Sequence, residues 1–389
     1  MKIASPRSGR MAGFAVRAAL AAAALAMAPA MAQPIKIGII TDKVGPAKPY
    51  AEPVTAGAVF AAKELNAKGG VLGRQVELLI EDDQARPDIS ATAARKLVEA
   101  GATFILSLSL TPSTQQVQTV TLETRTPQLT PSNSGDTLTT QIDNPYFWQT
   151  GPLGSTQIAT LLAYAANRSF KRVALVGENS DLGQLTNRSF KAGLEKSGAQ
   201  IVAEEVVPRG STTADPQMQK VRAAKPDAIF LTGVTTPENV LILRSYRQLG
   251  LKMPLLGNFN LSVPQTAVVA KGLLDGVVFV DAFDPAKPEA RRFIEAYKKE
   301  NGVEPYNLNG YGYDGLMLVA DAIKRAGGTD KEKVRAAMQA TQGYVGVLGA
   351  VGSAYGFPAG KRTGFDRNGM VVRVYEGDRQ GKVVFSGAQ

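Results

Sequence analysis

The sequence predicts an α/β protein of two lobes, each built on a doubly wound, mostly parallel β-sheet covered by helices. Three observations predict this fold class. Short apolar strands alternate with helices of about 10 to 15 residues, which is typical of βαβ units. The alternation occurs twice, before and after Gly151-Pro152. Beyond the first 32 residues the chain has 357 more, which exceeds what one hydrophobic core normally serves, so two domains are expected.

The first 32 residues predict a secretory signal peptide. Four basic residues precede an apolar run over 18–28, and Ala30-Met31-Ala32 matches the A-x-A cleavage pattern. The run has 11 residues, whereas a helix that spans a bilayer needs roughly 20. A retained N-terminal anchor is the alternative interpretation. We therefore expect export to the periplasm.

Composition argues against several classes of function. Four of the 44 Lys and Arg residues lie in the predicted signal peptide, so the net charge falls from +10 to +6 in the remainder. No cluster of basic residues interleaved with aromatics occurs, and no nucleic-acid partner is expected. The chain has neither Cys nor His, which excludes disulfides, cysteine nucleophiles, Ser-His-Asp triads and the usual zinc ligands. We expect no catalytic site, no metal and no cofactor.

The strands and helices before Gly151 form the first series of alternating elements. They are predicted from apolar runs and from helical repeats that end at glycines. Gly69-Gly70 and Gly101 mark helix ends, because a helix C-terminus favours a residue with φ > 0. The predicted elements, in chain order, are a strand over 35–40, a helix over 56–65, a strand over 75–81, a helix over 91–100, a strand from 104, a helix over 115–124 and a strand over 127–129.

The second series repeats the alternation and then becomes helical. Its predicted strands are 173–176, 201–206, 228–231, 254–256 and 278–280, followed by a late hairpin of 371–375 and 382–384. Its predicted helices are 155–166, 185–197, 238–249, 291–301, 313–326 and 331–341.

Short crossover segments are expected to join the lobes near Gly151, near Asp284 and within 349–369. They divide the chain after the signal peptide into two discontinuous units. The first lobe is predicted to comprise 33–151 and 284–350, and the second lobe 152–283 and 351–389. We expect the protein to be a monomer.

Two hydroxyl-rich turns follow neighbouring strands of the first series. While the chain stays extended after Phe104, the side chains of Ser107, Ser109 and Thr111 fall on one face. The second turn is Thr-Pro-Ser-Asn-Ser-Gly at 130–135. Ligands of open α/β sheets bind beyond the carboxyl ends of the strands, where helix N-termini and hydroxyls suit a carboxylate. Helix capping explains the first turn as well, but two such turns in adjacent units predict a binding site.

Other patterns are weaker. Residues 310–315 match G-x-G-x-x-G, but no strand precedes them, so packing at a helix entry is expected and not a dinucleotide site. Residues 356–363 resemble a phosphate loop but place Arg362 where Ser or Thr is required, so a surface loop is expected. Asp281, at the end of a predicted strand, is a candidate pocket residue.

A set of short segments spread along the chain is shared with one protein family. These segments are 35–40, Gly45-Pro46 with Tyr50, 66–74, 81–83, 113–115, Thr130-Pro131, 175–176, 243–244 and 250–251. In them the chain resembles the type I periplasmic binding proteins of the branched-chain amino acid (Leu/Ile/Val) group, which serve ABC importers. The resemblance covers nearly all of the chain after the signal peptide. It implies two α/β lobes, three crossover strands and a ligand trapped as the lobes close.

The resemblance also implies ligand contacts. The family holds the ligand carboxylate through a hydroxyl on the first turn and through the backbone and hydroxyl of the second. The matching positions in this chain are Thr111, Ser132, Asn133 and Ser134. Ser113 is the alternative to Thr111, because Pro112 blurs the match there. Tyr50 matches a Tyr that packs over the pocket.

The second lobe departs from the amino acid binders. A ligand-facing Tyr position falls at Leu182, and a second falls near Thr235. The acidic residue that receives the ammonium group falls near Phe259. Burying an ammonium group without a carboxylate partner carries a large desolvation cost.

Two interpretations of this departure stay open. Another acid, which could be Asp281, Glu178 or Asp181, compensates, or the ligand carries no ammonium group. We favour the second interpretation, in which an aromatic or aliphatic carboxylic acid lies against Phe259, with Tyr50 and Trp148 nearby.

These features predict the substrate-binding component of an ABC importer, with a small carboxylate solute as ligand and an inner-membrane permease as partner. An amino acid receptor with a relocated ammonium site is the alternative within the class. A sensor receptor that signals through a membrane kinase is a second alternative. A secreted hydrolase, from a different class, is disfavoured by the absence of His and Cys.

Overall fold

The computed structural model describes Met1 and residues 33–233, 236–358 and 360–388. The predicted signal peptide, apart from Met1, and the candidate residue Thr235 lie outside these residues. The side chains of Leu182 and Phe259 also lie outside what the structure describes. Within the described part of the chain, no helix is both long enough and apolar enough to cross a membrane.

The first sheet is parallel and has the strand order β2-β1-β3-β4-β5. Its strands are β1 (Ile35–Thr41), β2 (Val76–Asp82), β3 (Phe104–Ser107), β4 (Gln128–Thr130) and β5 (Phe147–Gln149). Its connecting helices are α1 (Lys48–Ala67), α2 (Pro87–Glu99) and α3 (Thr111–Glu123). Ile37, Ile39 and Ile40 of β1 are all buried, as expected of a parallel strand with helices on both faces.

The second sheet has the strand order β12-β11-β10-β9-β8-β6-β7 and is mixed. Its strands are β6 (Arg172–Glu178), β7 (Gln200–Val207), β8 (Ala228–Leu231), β9 (Leu255–Gly257), β10 (Val278–Asp281), β11 (Val371–Glu376) and β12 (Arg379–Ser386). Its helices are α4 (Gly154–Asn167), α5 (Asp181–Ser197), α6 (Asp215–Ala224), α7 (Thr236–Gln248), a 3₁₀ turn (Phe259–Ser262) and α8 (Pro264–Val269). The β11–β12 hairpin is antiparallel and extends an otherwise parallel sheet.

Three further helices lie between β10 and the final hairpin. They are α9 (Pro288–Asn301), α10 (Asn307–Ala326) and α11 (Lys331–Gln339), and a 3₁₀ turn (Arg367–Gly369) precedes β11. Helix α10 packs along α1. We call the five-stranded sheet with α1–α3 and α9–α11 the first lobe. The seven-stranded sheet with α4–α8 is the second lobe.

The chain crosses between the lobes after β5, after β10 and before β11. Parallel bridges join the crossover segments at Gln149 with Thr363 and at Phe283 with Gly349. Buried Asp314 of α10 holds the last crossover, because its carboxylate accepts the backbone N–H groups of Val347 and Leu348 at 2.7 and 2.9 Å. The two-lobed fold with three crossovers is therefore confirmed, while the exact lobe boundaries stay a prediction.

Most predicted elements are present, with ends that differ by a few residues. Three described elements have no counterpart in the prediction: β5, α6 and α8. Helix α6 has only two buried residues, Met218 and Val221, so its apolar repeat is too sparse to stand out in the sequence. Helix α10 begins six residues before the predicted start. The prediction left out Asn307–Gly312 because this segment contains glycines, which lower helix propensity.

The glycines of the G-x-G-x-x-G match lie inside α10 and bring it close to α1. A Cβ on Gly312 would stand 1.7 Å from the carbonyl oxygen of Val54. On the α1 side, a Cβ on Gly57 would stand 1.9 Å from the carbonyl oxygen of Asn309. The glycines thus permit backbone contact between two helices, as the packing interpretation of this motif predicted.

Candidate functional site

The two hydroxyl-rich turns meet at the carboxyl end of the first sheet. Strand β3 ends at Ser107 and β4 ends at Thr130, and the two strands are hydrogen-bonded neighbours. The Thr111 hydroxyl donates a hydrogen bond of 2.9 Å to Oδ1 of Asn133, which joins the two turns directly. The turns therefore form one surface, at the edge where parallel sheets bind ligands.

Asn133 is the side chain that holds this surface together. Its Oδ1 also accepts the backbone N–H of Gly135 at 2.9 Å, and its Nδ2 donates to the carbonyl of Ser109 at 3.2 Å. Its own carbonyl accepts a hydrogen bond of 2.8 Å from Nε2 of Gln149 in β5. The side chain of Asn133 thus positions the turn through bonds to three other residues.

Donors for an anion are provided by the backbone of the second turn. For the N–H groups of Ser132, Asn133 and Ser134, the described part of the chain contains no recorded acceptor. Oγ of Ser134 accepts a hydrogen bond of 3.1 Å from Nε2 of Gln157 in α4, so its own proton remains available. Consecutive N–H groups and a hydroxyl donor suit a carboxylate oxygen.

The close approach of the first crossover shapes this turn. A Cβ on Gly151 would lie 2.4 Å from the carbonyl oxygen of Asn133. Just after it, the N–H of Gly154 donates to the Ser134 carbonyl at 2.9 Å, and the Ser155 hydroxyl donates to Asp136 at 2.6 Å. The start of α4 in the second lobe is therefore attached to the turn that carries the candidate residues.

Thr111 and Ser113 differ in their access to the cleft. Thr111 is the first residue of α3 and is half-buried. Ser113 is fully buried, and its hydroxyl has no hydrogen-bond partner among the described residues. The chain leaves the extended conformation at Thr111, so the two side chains no longer alternate as in a strand. The geometry favours Thr111 over Ser113 as a residue that a ligand can reach.

Buried acids hold the loops at the edge of this surface. Asp42 accepts the backbone N–H groups of Val44 and Ala47 at 3.1 and 2.7 Å, which fixes the loop before α1. Asp83 accepts the Ser90 hydroxyl at 2.7 Å, and Ser109 lies close enough to lower the pKa of this carboxyl. Burial has the larger effect and raises the pKa of Asp83.

Tyr50 lies in the first turn of α1 and is half-buried against the core of the first lobe. Burial raises the pKa of its hydroxyl, which therefore stays protonated at neutral pH. Trp148 is fully buried in β5, where its indole N–H donates to Gln339 at 3.2 Å and its ring packs near Phe357. Trp148 is thus part of the core of the first lobe.

The second lobe places the candidate acids in protein contacts. Asp281 is fully buried, and its carboxylate accepts hydrogen bonds from Arg373 at 3.0 Å and Asn307 at 2.9 Å. Burial raises the pKa of Asp281, and the nearby Arg373 opposes this shift. Glu178, at the end of β6, accepts the backbone N–H and the hydroxyl of Ser180 at 2.6 and 2.9 Å. Phe259 begins the 3₁₀ turn after β9.

A cavity of about 440 Å³ lies along α1 and is lined at one end by Asp42. Lys48, Val59, Lys63 and Glu300 are among its lining residues, and none of the sequence-predicted site residues lines it. Its lining includes the ion pair of Lys63 with Glu300. We assign it no part in the candidate site.

Sequence reasoning expected backbone donors on the second turn but missed Gln157. The role of Gln157 depends on how the two lobes meet, which no local pattern reveals. The sequence held one indirect signal in Gly151, which had been taken only as a boundary between the two series. Its lack of a side chain is what lets the crossover approach Asn133.

Comparisons with known proteins agree with this architecture. A family model described as periplasmic binding protein matches residues 34–377. A Leu/Ile/Val-binding protein of Rhizobium johnstonii, BraC3, is 28% identical over 322 residues, which are 82% of this chain and 86% of the relative. A leucine-, isoleucine-, valine-, threonine- and alanine-binding protein of Pseudomonas aeruginosa is 26% identical over 83% of this chain and 87% of its own length.

A solved structure has the same fold. It is the branched-chain amino acid transporter substrate-binding protein LivJ from Streptococcus pneumoniae in complex with isoleucine. It superposes with a TM-score of 0.77 at 22% identity and covers 90% of this chain and 99% of its own.

Proposed function

The chain belongs to the periplasmic binding protein family, and we propose that it is the substrate-binding component of an ABC importer that captures a small carboxylate-bearing solute by hinge closure. Ligand bound to the first lobe recruits the second, and the closed form docks on an inner-membrane permease. Export by the predicted signal peptide and action as a monomer are part of this proposal. Its relatives are solute-binding transporter components, and no catalytic step is proposed.

The second hydroxyl-rich turn carries this proposal. It offers the N–H groups of Ser132, Asn133 and Ser134 together with the Ser134 hydroxyl, and Thr111 stands beside them through its bond to Asn133. These are donors without a positive charge, which suits binding and release of a carboxylate. Tyr50, Phe259 and Thr235 are proposed to shape the body of the pocket.

The ligand is proposed to be an aromatic or aliphatic carboxylic acid. Position 259, where the amino acid binders have an acidic residue for the ammonium group, is Phe in this chain. Two other acids whose side chains are described could take that role, but Glu178 is bonded to Ser180 and Asp281 to Arg373. The second candidate is a branched-chain or other amino acid, which the names of the relatives favour. In that case Glu178, Asp281 or Asp181 would receive the ammonium group.

A titration tests the site and the ligand class together. Calorimetry with leucine, benzoate and a short dicarboxylic acid identifies the best ligand of the panel. Thr111→Ala combined with Ser134→Ala should weaken its binding by at least about tenfold, the loss of one or two hydrogen bonds to a charged group. Thr119→Ala is the matched control, because Thr119 lies on the exposed side of α3 and bonds only within the helix.

Three outcomes would contradict parts of this proposal. Unchanged affinity in the double variant would mean that the two turns do not contact the ligand. Strong binding of leucine, with no binding of the other two compounds, would mean that the ligand is an amino acid and not a carboxylic acid without an ammonium group. Turnover of the bound ligand over hours would favour the hydrolase alternative.

A further inference from the structure

A buried polar cluster joins the two lobes away from the residues proposed to bind the ligand carboxylate. Asn307, at the start of α10, belongs to the first lobe, and Asp281, Ser262 and Arg373 belong to the second. All four residues are at most 4% exposed. A buried polar group that loses its hydrogen bond costs free energy. The hydrogen bonds that this cluster makes across the lobes therefore stabilise the arrangement in which they form.

Asn307 makes the contacts that cross between the lobes. Its Nδ2 donates to Oδ1 of Asp281 at 2.9 Å and to Oγ of Ser262 at 2.7 Å. Its Oδ1 accepts the backbone N–H of Leu308 at 2.8 Å, which fixes the orientation of the amide. Both hydrogens of one amide are thus donated to the other lobe.

The partners of Asn307 are held rigidly on the second-lobe side. Arg373 pairs with Oδ2 of Asp281 at 3.0 Å and donates to the carbonyls of Gly381 and Gln380 at 3.1 and 3.0 Å. The Tyr375 hydroxyl donates to the carbonyl of Leu261 at 2.5 Å. The N-terminus of α10 also favours the negative charge of Asp281. Asn307 therefore meets a fixed pair of acceptors.

The same contacts reach the turn that carries a proposed ligand contact. Ser262 is the last residue of the 3₁₀ turn that Phe259 begins. Asp281 ends β10, directly before the second crossover. Asn307 thus ties the first lobe to the ligand-facing turn and to a hinge segment at once.

We propose that Asn307 is an interlobe latch that favours the closed arrangement of the two lobes. Its two hydrogen bonds form when the lobes are together and break when they open. The proposal rests on hinge closure, as part of the proposed function, and on Asp281 being bonded to Asn307 and not to a ligand ammonium group. It places control of the open-to-closed ratio in a residue that lies outside the proposed ligand contacts.

Single-molecule energy transfer in the ligand-free protein tests the latch. Val44 in the first lobe and Val268 in the second are 72% and 76% exposed. Because the chain has no Cys, Val44→Cys and Val268→Cys create the only labelling sites. Asn307→Ala should raise the open-to-closed ratio about tenfold, as expected for the loss of two buried hydrogen bonds. Asn307→Asp places a second carboxylate against Asp281 and should open the protein further.

Asn309→Ala is the matched control, two residues along the same helix. Nδ2 of Asn309 donates to the carbonyl of Pro53 and to the Tyr297 hydroxyl, both at 3.0 Å and both within the first lobe. This variant should lower the melting temperature and leave the open-to-closed ratio unchanged. An equal effect of Asn309→Ala would mean that general destabilisation opens the lobes.

Two results would overturn the latch. The first is a wild-type protein that is fully open without ligand, because the two hydrogen bonds of Asn307 would then not hold the lobes together. The second is an unchanged ratio in both Asn307 variants, with Ser262→Ala as a milder variant if either fails to fold. A failure to bind carboxylates would overturn the proposed function and leave this measurement unaffected.

Discussion

The Asn133 side chain uses both of its polar atoms to join the two hydroxyl-rich turns. Oδ1 accepts from Thr111 and Gly135, and Nδ2 donates to Ser109. The oxygen of the side chain is thus used within the protein, and one of the two hydrogens on Nδ2 is donated to Ser109. The backbone N–H of Asn133, one of the three without a recorded acceptor in the described part of the chain, is the group that we propose faces the ligand.

This assignment gives a prediction that compares two substitutions. Asn133→Ala removes the bonds between the turns and should weaken binding of a carboxylate ligand. Asn133→Asp can still accept from Thr111 and Gly135, but it places a negative charge beside the ligand carboxylate. Asn133→Asp should therefore weaken binding more than Asn133→Ala does. Added salt should make the difference in affinity between the two variants smaller, because salt screens partly exposed charges.

Calorimetric titrations at two salt concentrations measure this difference. Ser155→Ala is a suitable control, because it removes a hydroxyl bonded to Asp136 at the margin of the same turn. If Asn133→Asp bound a carboxylate as well as Asn133→Ala does, the ligand carboxylate would lie away from this turn.

Some site residues were predictable from the sequence, and others were not. Adjacent strands of a parallel sheet end at one edge, so the meeting of the turns at 107–111 and 130–135 followed from strand order alone. The burial of Ser113 did not, because it depends on where α3 begins. The ion pair of Asp281 with Arg373 joins residues 92 positions apart, a separation that no local pattern reveals.

Among the secondary-structure elements, α1 and α10 come into backbone contact at their glycines. A Cβ on Gly312 would stand 1.7 Å from the carbonyl oxygen of Val54, so the helices must separate to accept it. Gly312→Ala should lower the free energy of unfolding by about 2 kcal/mol or more. That loss would occur although alanine has the higher helix propensity, by about 1 kcal/mol.

Gly328→Ala is the control for this prediction. Gly328 is the second residue after α10, has no positive φ and has open space around its Cβ position. Denaturant unfolding followed by circular dichroism should give an unfolding free energy close to that of the wild type. A stable Gly312→Ala variant would mean that the two helices can shift apart at little cost.

Elements with a strong repeat were predictable, and some short or sparsely buried ones were not. Strand β10 and helix α9 have clear apolar patterns, and the predicted bounds are close to the observed ones. Strand β5 has three residues and was not predicted, although β4 and β9, which are equally short, were. It forms because β4 pairs with it along its length, which is a tertiary cause.

At the scale of the whole molecule, two groups of hydrogen bonds between the lobes can be distinguished among the described residues. One joins the second hydroxyl-rich turn to α4, through Ser134 with Gln157 and through Gly154. The other joins Asn307 to Asp281 and Ser262. The first group includes a proposed ligand contact and the second does not. Ligand binding should therefore promote closure through the first group of contacts. The second group should stabilise the closed arrangement whether or not the ligand is bound.

This division gives a prediction for the protein labelled at Val44→Cys and Val268→Cys. Saturating ligand should raise the fraction of closed molecules in the wild type, because a ligand shifts an equilibrium by its differential affinity for the two states. In the Thr111→Ala, Ser134→Ala variant the response to the same ligand concentration should be lost, and the ligand-free distribution should shift somewhat toward open molecules, because Ser134→Ala removes the interlobe bond with Gln157. In Asn307→Ala the ligand-free protein should also be more open, but closure should still follow the addition of ligand. Loss of the ligand response in Asn307→Ala with an unchanged starting distribution would instead place Asn307 among the ligand contacts.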